Sequence, residues 1–353
     1  MEQSQDWHQA LSRMEAWWAG ESLGMPAIQV TAPRDGVTPR AVPAPATIEA
    51  QWTDIGYVIG RNLEAIRCRY YGGEAFPSML PNLGPDVTTA YMGCDLVFGE
   101  TMSWSVPNLP TWDGLPAVRF DPANRWWQLT VGMTQAMFDA SRGEFVVGIT
   151  DLHTAADTAA AMRDPRQFCL DLVESPEQAK QLLAMVQPLF GFVYHYLAAM
   201  VRPVSGGTTT WLPAFTRGRY YLLSNDFSCI VSPAVFDEFF AASTEADARF
   251  LDHVLYHLDG PDAIEHLDRL LEIPEIRGIQ WVPGRWEPSP LQWIPLLQHI
   301  QAAGRLIDVS MDAAEVLPLL DYLSPRGLLI HTGCASEDEA RALLTAAERR
   351  CSR

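Results

Sequence analysis

Short apolar runs alternate with longer amphipathic segments from about residue 76 to the end of this chain. The strand-like runs are "AFPSMLP", "EFVVGITDLH", "TTTWLPAF", "YYLLSNDFS", "HVLYHLDG", "IRGIQWVPG", "RLIDVSMD" and "GLLIHTGC". Strands that alternate with helices are typical of parallel βα units. With 353 residues, the chain is long enough for one barrel of roughly 250 residues plus extensions. The pattern predicts an α/β fold, a TIM (β/α)8 barrel in a single domain over 1–353. An open doubly wound sheet is the alternative.

The first 70 residues have a different pattern and are predicted to form an N-terminal extension packed on the barrel. Leu11, Met14, Trp17 and Trp18 recur at helical spacing, and a strand is expected in "MPAIQVTAPR". A loop rich in Pro and Gly follows. The segment from Ile48 to Tyr70 is predicted to be one long helix.

Charge and cysteine content restrict the classes of function. The formal net charge is −18, which argues against a nucleic-acid surface and against docking on anionic lipid. Six cysteines are spread through the chain with no CxxC pair, a pattern typical of reduced thiols in a cytoplasmic protein. The N-terminus has no signal-peptide pattern, and the sequence predicts no membrane span.

Polar side chains recur where the predicted strands end, which is where TIM barrels place their chemistry. They are Asp151 and His153, Asn225 and Asp226, His257 and Asp259, Gln280 and Trp281, Asp308, and His331 and Cys334. We expect His153 and Asp226 to act in catalysis. The residues expected to contact a small substrate are Asp151, Asn225, Gln280, Trp281 and Trp104. For Asp151 and His153, capping of the next helix is the alternative. For Trp104, Trp281 and Trp286, the alternative is ordinary core packing.

His257 and Asp259 are two residues apart, so on a strand both side chains point to the same face. Cys334 ends the last predicted strand, which is next to the first strand in a closed barrel. A histidine nitrogen, a carboxylate and a thiolate suit a catalytic zinc ion, which has three protein ligands and one open position. Hydrogen-bonded barrel residues without a metal are the alternative. His331 is predicted to be a core residue or one that supports the metal ligands.

Several segments resemble the uroporphyrinogen decarboxylase superfamily, in particular a poorly characterised branch beside the corrinoid-linked methyltransferases. They include "LPNLGPDVTTAYMGCDLVFGE", "DLHTAADTAAAMRDPRQFCLDLVESPEQAK", "DFSCIVSPAVFDEFF" and "YHLDGPDAIEHLDRLLEIPEIRGIQWVPG". The resemblance covers nearly the whole chain and implies a TIM barrel. The decarboxylases grip their substrate with an Arg-rich N-terminal segment of the type RQAGRY, which is absent here. Uroporphyrinogen decarboxylation is therefore not expected.

The related methyltransferases bind zinc through a His-x-Cys pair on one strand and a second Cys on the last strand. His257 and Cys334 match this pattern, whereas Asp259 stands where the first Cys would be. Asp in place of Cys keeps the ligand charge but offers a hard oxygen, which favours an oxygen substrate such as a methyl ether. The resemblance also makes Glu100 a candidate ligand or base, with a solvent-facing loop carboxylate as the alternative. It leaves Cys94 as a packing residue.

These observations lead to one preferred function and two alternatives. The preferred function is a metal-dependent methyltransferase, with zinc as the expected metal. It would move a methyl group from a small substrate of the methyl ether type to a corrinoid carried by a partner protein. The first alternative is a lyase or decarboxylase that acts on a small carboxylated molecule without a corrinoid partner. The second is a non-catalytic barrel that binds a ligand. Iron, cobalt or manganese would also accept His, Asp and Cys ligands, and a homodimer is compatible with the Trp-rich N-terminal arm.

Overall fold

The central sheet is built from parallel strands, as the alternation of apolar runs predicts. The computed structural model describes residues 3–21, 24–284 and 289–352. Its strands are β1 (Ala27–Pro33), β2 (Arg69–Gly73), β3 (Ser78–Met79), β4 (Asp95–Phe98), β5 (Ser103–Val106), β6 (Val146–Val147), β7 (Tyr220–Leu223), β8 (His253–Asp259), β9 (Ile276–Val282), β10 (Leu306–Ser310) and β11 (Leu328–Gly333).

Seven of these strands form one sheet in the order β2-β1-β11-β10-β9-β8-β7. All neighbours in it are parallel except β2, which pairs antiparallel with β1 at the edge. Two small ladders, β3 with β6 and β4 with β5, lie outside it. The α/β class and the parallel arrangement are therefore confirmed. The hydrogen-bonded ladders of the described residues do not form a ring, so the closed barrel stays a prediction.

Helices connect the strands and cover the sheet. In the described part of the chain they are α1 (Gln3–Trp18), α2 (Ile48–Thr53), α3 (Ile55–Arg67), α4 (Val87–Tyr91), α5 (Arg125–Ser141), α6 (Ala155–Arg163), α7 (Pro165–Glu174), α8 (Pro176–Ser205), α9 (Pro233–Phe239), α10 (Ala241–Phe250), α11 (Leu267–Leu271), α12 (Ile294–Ala302), α13 (Ala313–Leu319) and α14 (Glu337–Cys351). Short 3₁₀ turns occur at Trp112–Ala117, Asp226–Ile230, Pro261–His266 and Pro290–Trp293.

The segment predicted as one long helix from Ile48 to Tyr70 is instead two helices, α2 and α3. Asp54 separates them, because its backbone is extended and its side chain accepts a hydrogen bond from the Tyr57 amide at 2.9 Å. This is the N-cap arrangement that starts a new helix. The chain then turns into strand β2 at Arg69, so the predicted helix also ended too late.

The N-terminal region is joined to the sheet more closely than an appended arm would be. Strand β1 lies inside the sheet, between β2 and β11. Trp17 and Trp18 of α1 are each only 1% exposed. The Trp18 ring packs on Tyr220 and on His253, with centroid distances of 5.2 and 4.8 Å, and its Nε1 donates to the Phe215 carbonyl. Both tryptophans are therefore buried within this chain. The boundary at residue 70 and the homodimer stay predictions.

Helix α8 has the length and composition of a membrane-spanning helix, which the sequence reading did not anticipate. Its most apolar 18-residue window has a mean hydropathy of 1.4. Half of that window is buried inside the protein. A long core helix meets the same criteria, so this helix is weak support for a membrane span.

Gly278 is required where β9 passes between its two neighbours. A Cβ at this position would lie 2.6 Å from both the Cβ and the carbonyl oxygen of Leu306. Gly278→Ala should therefore lower the free energy of unfolding by about 1–3 kcal/mol, measured by urea denaturation. The matched control is Gly191→Ala within α8, where the new Cβ would come no closer than 3.9 Å to Phe250. That variant should be roughly 0.5–1 kcal/mol more stable than wild type. Equal midpoints for Gly278→Ala and wild type would contradict this account of the sheet.

Candidate metal centre

The candidate side chains follow or end the strands β6, β7 and β8, of which β7 and β8 are parallel neighbours and β6 pairs with β3 in a separate ladder. The chain leaves β6 toward Asp151 and His153, leaves β7 toward Asn225 and Asp226, and ends β8 at Asp259. The carboxyl ends of parallel strands are the usual location of ligand sites in α/β folds.

Asp226, His257 and Asp259 form a group that could hold a metal ion. One ligand atom from each residue lies within 4.8 Å of the other two. His257 is half-buried, whereas both carboxylates are exposed. The pairing of His257 with Asp259 agrees with the two-residue spacing in the sequence. The third member is Asp226, which we expected to act in catalysis.

Cys334 lies apart from this group, at the end of β11. Its backbone amide donates to the Thr31 carbonyl at 2.8 Å, and its side chain is half-buried. Burial, followed by the nearby charge of Glu339, raises the pKa of the thiol. Cys334 as a metal ligand therefore stays a prediction from the resemblance.

Gln280 fixes the orientation of the His257 ring. His257 and Gln280 are paired on β8 and β9, and His257 Nδ1 lies 2.5 Å from Gln280 Oε1. An amide oxygen only accepts hydrogen bonds, so Nδ1 must carry the proton and donate. The lone pair of Nε2 is then available to a metal ion, the arrangement found around metal-binding histidines. The Trp211 ring packs edge-on against the imidazole at 5.3 Å.

A second histidine–carboxylate pair lies two strands away on the same face. Gln280 is aligned with Asp308 on β10, and Asp308 Oδ2 lies 2.6 Å from His331 Nε2. Asp308 is completely buried, and its Oδ1 has no hydrogen-bond partner in the described structure. His331 is therefore paired with a buried carboxylate, and a role in supporting the metal ligands stays a prediction.

The acids around His153 raise the pKa of its ring. Its Nδ1 lies 3.4 Å from Asp86 Oδ1. Burial disfavours the charged ring, but the contact with Asp86 and the charges of Asp157, Asp151 and Asp226 outweigh it and raise the pKa of His153 to about 10. For Asp86, burial is likewise outweighed by His153 and Ser105, which lower the pKa of the carboxyl.

Asp157 fixes the position of Asp226. It was not among the site residues predicted from the sequence. It lies in the first turn of α6 and is only 6% exposed. Its carboxylate accepts hydrogen bonds from the backbone amides of Asp226 (3.2 Å) and Phe227 (2.8 Å), where the 3₁₀ turn Asp226–Ile230 begins. A carboxylate at the start of a helical turn satisfies amides that have no partner within the turn. Asp86 and Asp157 both lie in the segments that carry the resemblance, and this position was the one feature of the sequence that could have identified them as site residues.

Desolvation and mutual repulsion both disfavour the charged forms of three carboxyl groups at this site. Desolvation by the surrounding protein atoms is the largest cause that raises the pKa values of Asp151, Asp226 and Asp259, although the last two residues still reach solvent. Asp226 adds to the shift of both other carboxyls, and Asp157 adds to that of Asp226. A bound cation would relieve this repulsion.

The remaining candidates lie outside this group. Trp281 is 1% exposed and packs on Trp293 at 5.0 Å, on the face of β9 opposite Gln280, so it is a core residue. Glu100 is exposed in the turn between β4 and β5, and Trp104 is 47% exposed on β5. Cys94 is buried, in agreement with a packing role. Trp286 lies outside the described residues.

A cleft of about 860 Å³ lies elsewhere, between α1, α3, β2 and α14. Glu74 and Arg13, which form an ion pair, are among its lining residues. Asp226, His257 and Asp259 do not line it. Its volume is in the range of ligand sites, but the convergent titratable groups are at the strand ends.

Sequence comparison and structural comparison give different results. No protein-family model matches the chain, and no curated protein sequence matches it. Solved structures do match. One is a methyltransferase from Methanosarcina mazei, with a TM-score of 0.62 and 12% sequence identity. The match covers 96% of this chain and 98% of that one. At this identity the likeness establishes a shared fold over nearly the whole chain.

The pair of His153 and Asp86 should stabilise the protein in a defined pH range. Because the pKa of His153 rises from 6.5 to about 10 on folding, its contribution is complete below pH 6.5 and is lost as the pH rises through 10. Asp86→Asn should cost about 3 kcal/mol near pH 6 and much less above pH 10, measured by urea denaturation. The control is Asp95→Asn, which breaks an exposed pair with Arg125 and should cost less than about 1 kcal/mol. A loss from Asp86→Asn that is the same at both pH values would rule out this role.

Proposed function

We propose that this protein is a metal-dependent methyltransferase whose metal is held by Asp226, His257 and Asp259. The observation that carries the proposal is the oriented donor group: a histidine fixed by Gln280 and two carboxylates within 4.8 Å, at the ends of parallel strands. The methyltransferase from Methanosarcina mazei with the same fold supports this class of reaction.

The residues present fit a divalent cation. Two carboxylates balance its charge, and the neutral imidazole supplies the third donor. This donor set is harder than one with thiolates, so it suits manganese or iron as well as zinc. A bound ion would supply Lewis acidity that polarises a substrate oxygen. Cys334 is not a member of this group and stays a ligand predicted from the resemblance.

The hard donor set favours an oxygen-linked methyl donor such as a methyl ether. Transfer requires that the bond between the methyl carbon and its oxygen breaks, with the electron pair remaining on oxygen. The acceptor must supply a new electron pair to the carbon, and we propose a corrinoid on a separate cytoplasmic protein for this role. His153, whose pKa is raised beside Asp86, is the group that we propose as the proton donor to the departing oxygen.

We also propose that the sheet closes into a barrel around this site. The Gly148 amide donates to the Met79 carbonyl at 2.8 Å, and the Ile149 amide donates to the Thr209 carbonyl at 2.9 Å. The Tyr220 amide in turn donates to the Thr208 hydroxyl at 2.9 Å. These bonds continue from β3 and β6 toward β7, which is one edge of the seven-stranded sheet.

A lyase or decarboxylase is the second candidate, and the charge on His153 favours it. A buried imidazolium can donate a proton to the carbon that loses carbon dioxide. This candidate predicts turnover of a small carboxylated substrate by the protein alone. The methyltransferase predicts that methyl transfer from a methyl ether is observed only when a reduced corrinoid protein is added.

Metal content tests the donor group directly. Purified protein supplied with zinc, manganese or iron should hold about one ion per chain by elemental analysis, and His257→Ala, Asp226→Asn and Asp259→Asn should each lose it. The matched control is His299→Ala, because His299 is an exposed histidine paired with Asp268 at 2.7 Å. Retention of metal in Cys334→Ser would establish the oxygen-rich group, whereas its loss would restore Cys334 as a ligand. A metal-free wild-type protein after reconstitution would refute the proposal.

Gln280 should control metal affinity without touching the metal. Gln280→Leu removes the acceptor for His257 Nδ1, so the dissociation constant for the metal should rise about 10–100-fold. Gln280→Glu keeps an acceptor at the same place and should bind at least as tightly as wild type. Competition with a chelating dye measures both constants. Equal constants for wild type and Gln280→Leu would show that the hydrogen bond does not orient the ring.

A further inference from the structure

A row of polar side chains crosses one face of the central sheet. Five neighbouring strands, β8, β9, β10, β11 and β1, contribute one residue each: His257, Gln280, Asp308, His331 and Gln29. Register aligns Gln280 with both His257 and Asp308. His331 is aligned with Gln29 and hydrogen-bonded to Asp308. Because aligned residues of neighbouring strands point to the same face of a sheet, the five side chains line one surface.

An apolar layer borders this row toward the amino ends of the strands. It contains the residues two positions earlier on four of the same strands, Leu255, Leu306, Leu329 and Ala27, which pack in one cluster with Trp17 and Trp18. Side chains two residues apart on a strand share a face. The single apolar cluster therefore agrees with a polar row that points to one side of the sheet.

The two histidines are the accessible members of the row. Gln29, Gln280 and Asp308 are buried, whereas His257 and His331 are half-buried. The side chain of His331 is 15% exposed, and that of Asp308 is fully buried. A ligand that approaches this face therefore meets the histidine rings before it meets Gln280 and Asp308, which hold them.

Asp308 determines which nitrogen of a neutral His331 ring carries the proton. A carboxylate accepts hydrogen bonds, so His331 Nε2, which lies 2.6 Å from Asp308 Oδ2, must be the donor. Nδ1 then has the free lone pair, and no residue that the structure describes binds it. A histidine that is oriented by a carboxylate at one nitrogen can act as a general base at the other.

The buried position of Asp308 is unfavourable for folding. Its Oδ1 has no hydrogen-bond partner in the described structure, and the contact with His331 satisfies the other oxygen. A desolvated carboxylate with one hydrogen bond costs free energy that an apolar side chain would not. The pair of Asp308 and His331 therefore indicates a role beyond packing.

We propose that His331 is a general base of this site, that Asp308 is its positioning residue, and that the substrate presents a hydroxyl group to His331 Nδ1. When the proton moves to Nδ1, the electron pair of the O–H bond stays on oxygen, and the charge of Asp308 stabilises the resulting ring cation. The inference rests on the proposed function only for the methyl-bearing oxygen, because the base needs no metal. His257 and His331 are three strand spacings apart, roughly 14 Å along the sheet. The hydroxyl and the methyl-bearing oxygen therefore lie at opposite ends of the substrate.

Nitrogen NMR of the full chain with ¹⁵N-labelled histidine tests the orientation without a ligand. The signals of His331 are those lost in His331→Leu. In alkaline buffer we expect the proton on Nε2 and a bare Nδ1 in wild type, and a mixture of both forms in Asp308→Leu. His299, whose pair with Asp268 is exposed, is the internal reference and should also show a mixture. A wild-type ring with the proton on Nδ1 would overturn the proposal, and this result needs no variant that has to fold.

A reaction that requires only a base tests the chemistry. In the elimination of 5-nitrobenzisoxazole, a base takes the proton from carbon, the N–O bond breaks, and the electron pair ends on a phenolate oxygen whose absorbance is recorded. Wild-type protein, metal-loaded or metal-free, should exceed the rate of free imidazole at equal concentration. The rate should fall at least about tenfold in His331→Leu and several-fold in Asp308→Leu. The matched control His299→Ala should keep the wild-type rate.

A matched pair of inhibitors of this elimination tests the hydroxyl group. 6-Methoxyhexan-1-ol and 1-methoxyheptane differ by a hydroxyl in place of a methyl group. The ratio of their inhibition constants should shift at least about tenfold against the alcohol in His331→Leu, because the lone pair that accepts its hydroxyl is lost. An equal ratio in wild type and His331→Leu would overturn the hydroxyl-bearing substrate.

The outcomes separate this inference from the proposed function. Elimination no faster than with free imidazole, or a rate that is unchanged in His331→Leu, would overturn the base whatever the metal content. A protein that holds no metal after reconstitution but retains a rate dependent on His331 would uphold the base and refute the metal-dependent reaction.

Discussion

Parallel pairing of β7, β8 and β9 is the constraint on which the candidate site depends. Because these strands run in the same direction, their carboxyl ends share one edge, and residues far apart in sequence meet there. The same pairing aligns His257 with Gln280 and so decides which ring nitrogen carries the proton. A sheet with one of these strands reversed would contain the same residues and would not assemble this group. The fold therefore supplies both the location and the protonation pattern of the site.

The sequence predicted those parts of the site that follow from strand periodicity. His257 and Asp259 share a face because they are two residues apart, and the structure has them together. The place of Asp226 could not be predicted in this way, because it lies beyond the end of β7 and is fixed by a long-range contact of its backbone with Asp157. Similarly, Trp281 was expected to contact a substrate, with core packing as the alternative, although strand alternation places it opposite Gln280, in the core. Cys334 was predicted to be a metal ligand from the family resemblance, and a resemblance does not give the distances between residues.

The same distinction holds for the fold. The alternation of apolar and amphipathic segments was sufficient for the α/β class and for parallel strands. It was insufficient at Asp54, where a single cap divides one predicted helix into two. Whether the ends of a sheet meet depends on strand tilt and stagger, and one-dimensional patterns do not contain these quantities.

The hydrogen-bond acceptor for His257 Nδ1 is the neutral side-chain amide of Gln280, and its lack of charge affects how tightly a metal would be retained. A carboxylate in that place would share negative charge with the imidazole and make it a stronger electron donor. Gln280 orients the ring without adding charge, so an ion at Nε2 would keep more of its own electrophilic character and would be released more readily. Rapid exchange with the surrounding pool would follow, and the metal found in the protein would then depend on the supply of ions in the cell as well as on the selectivity of the ligands.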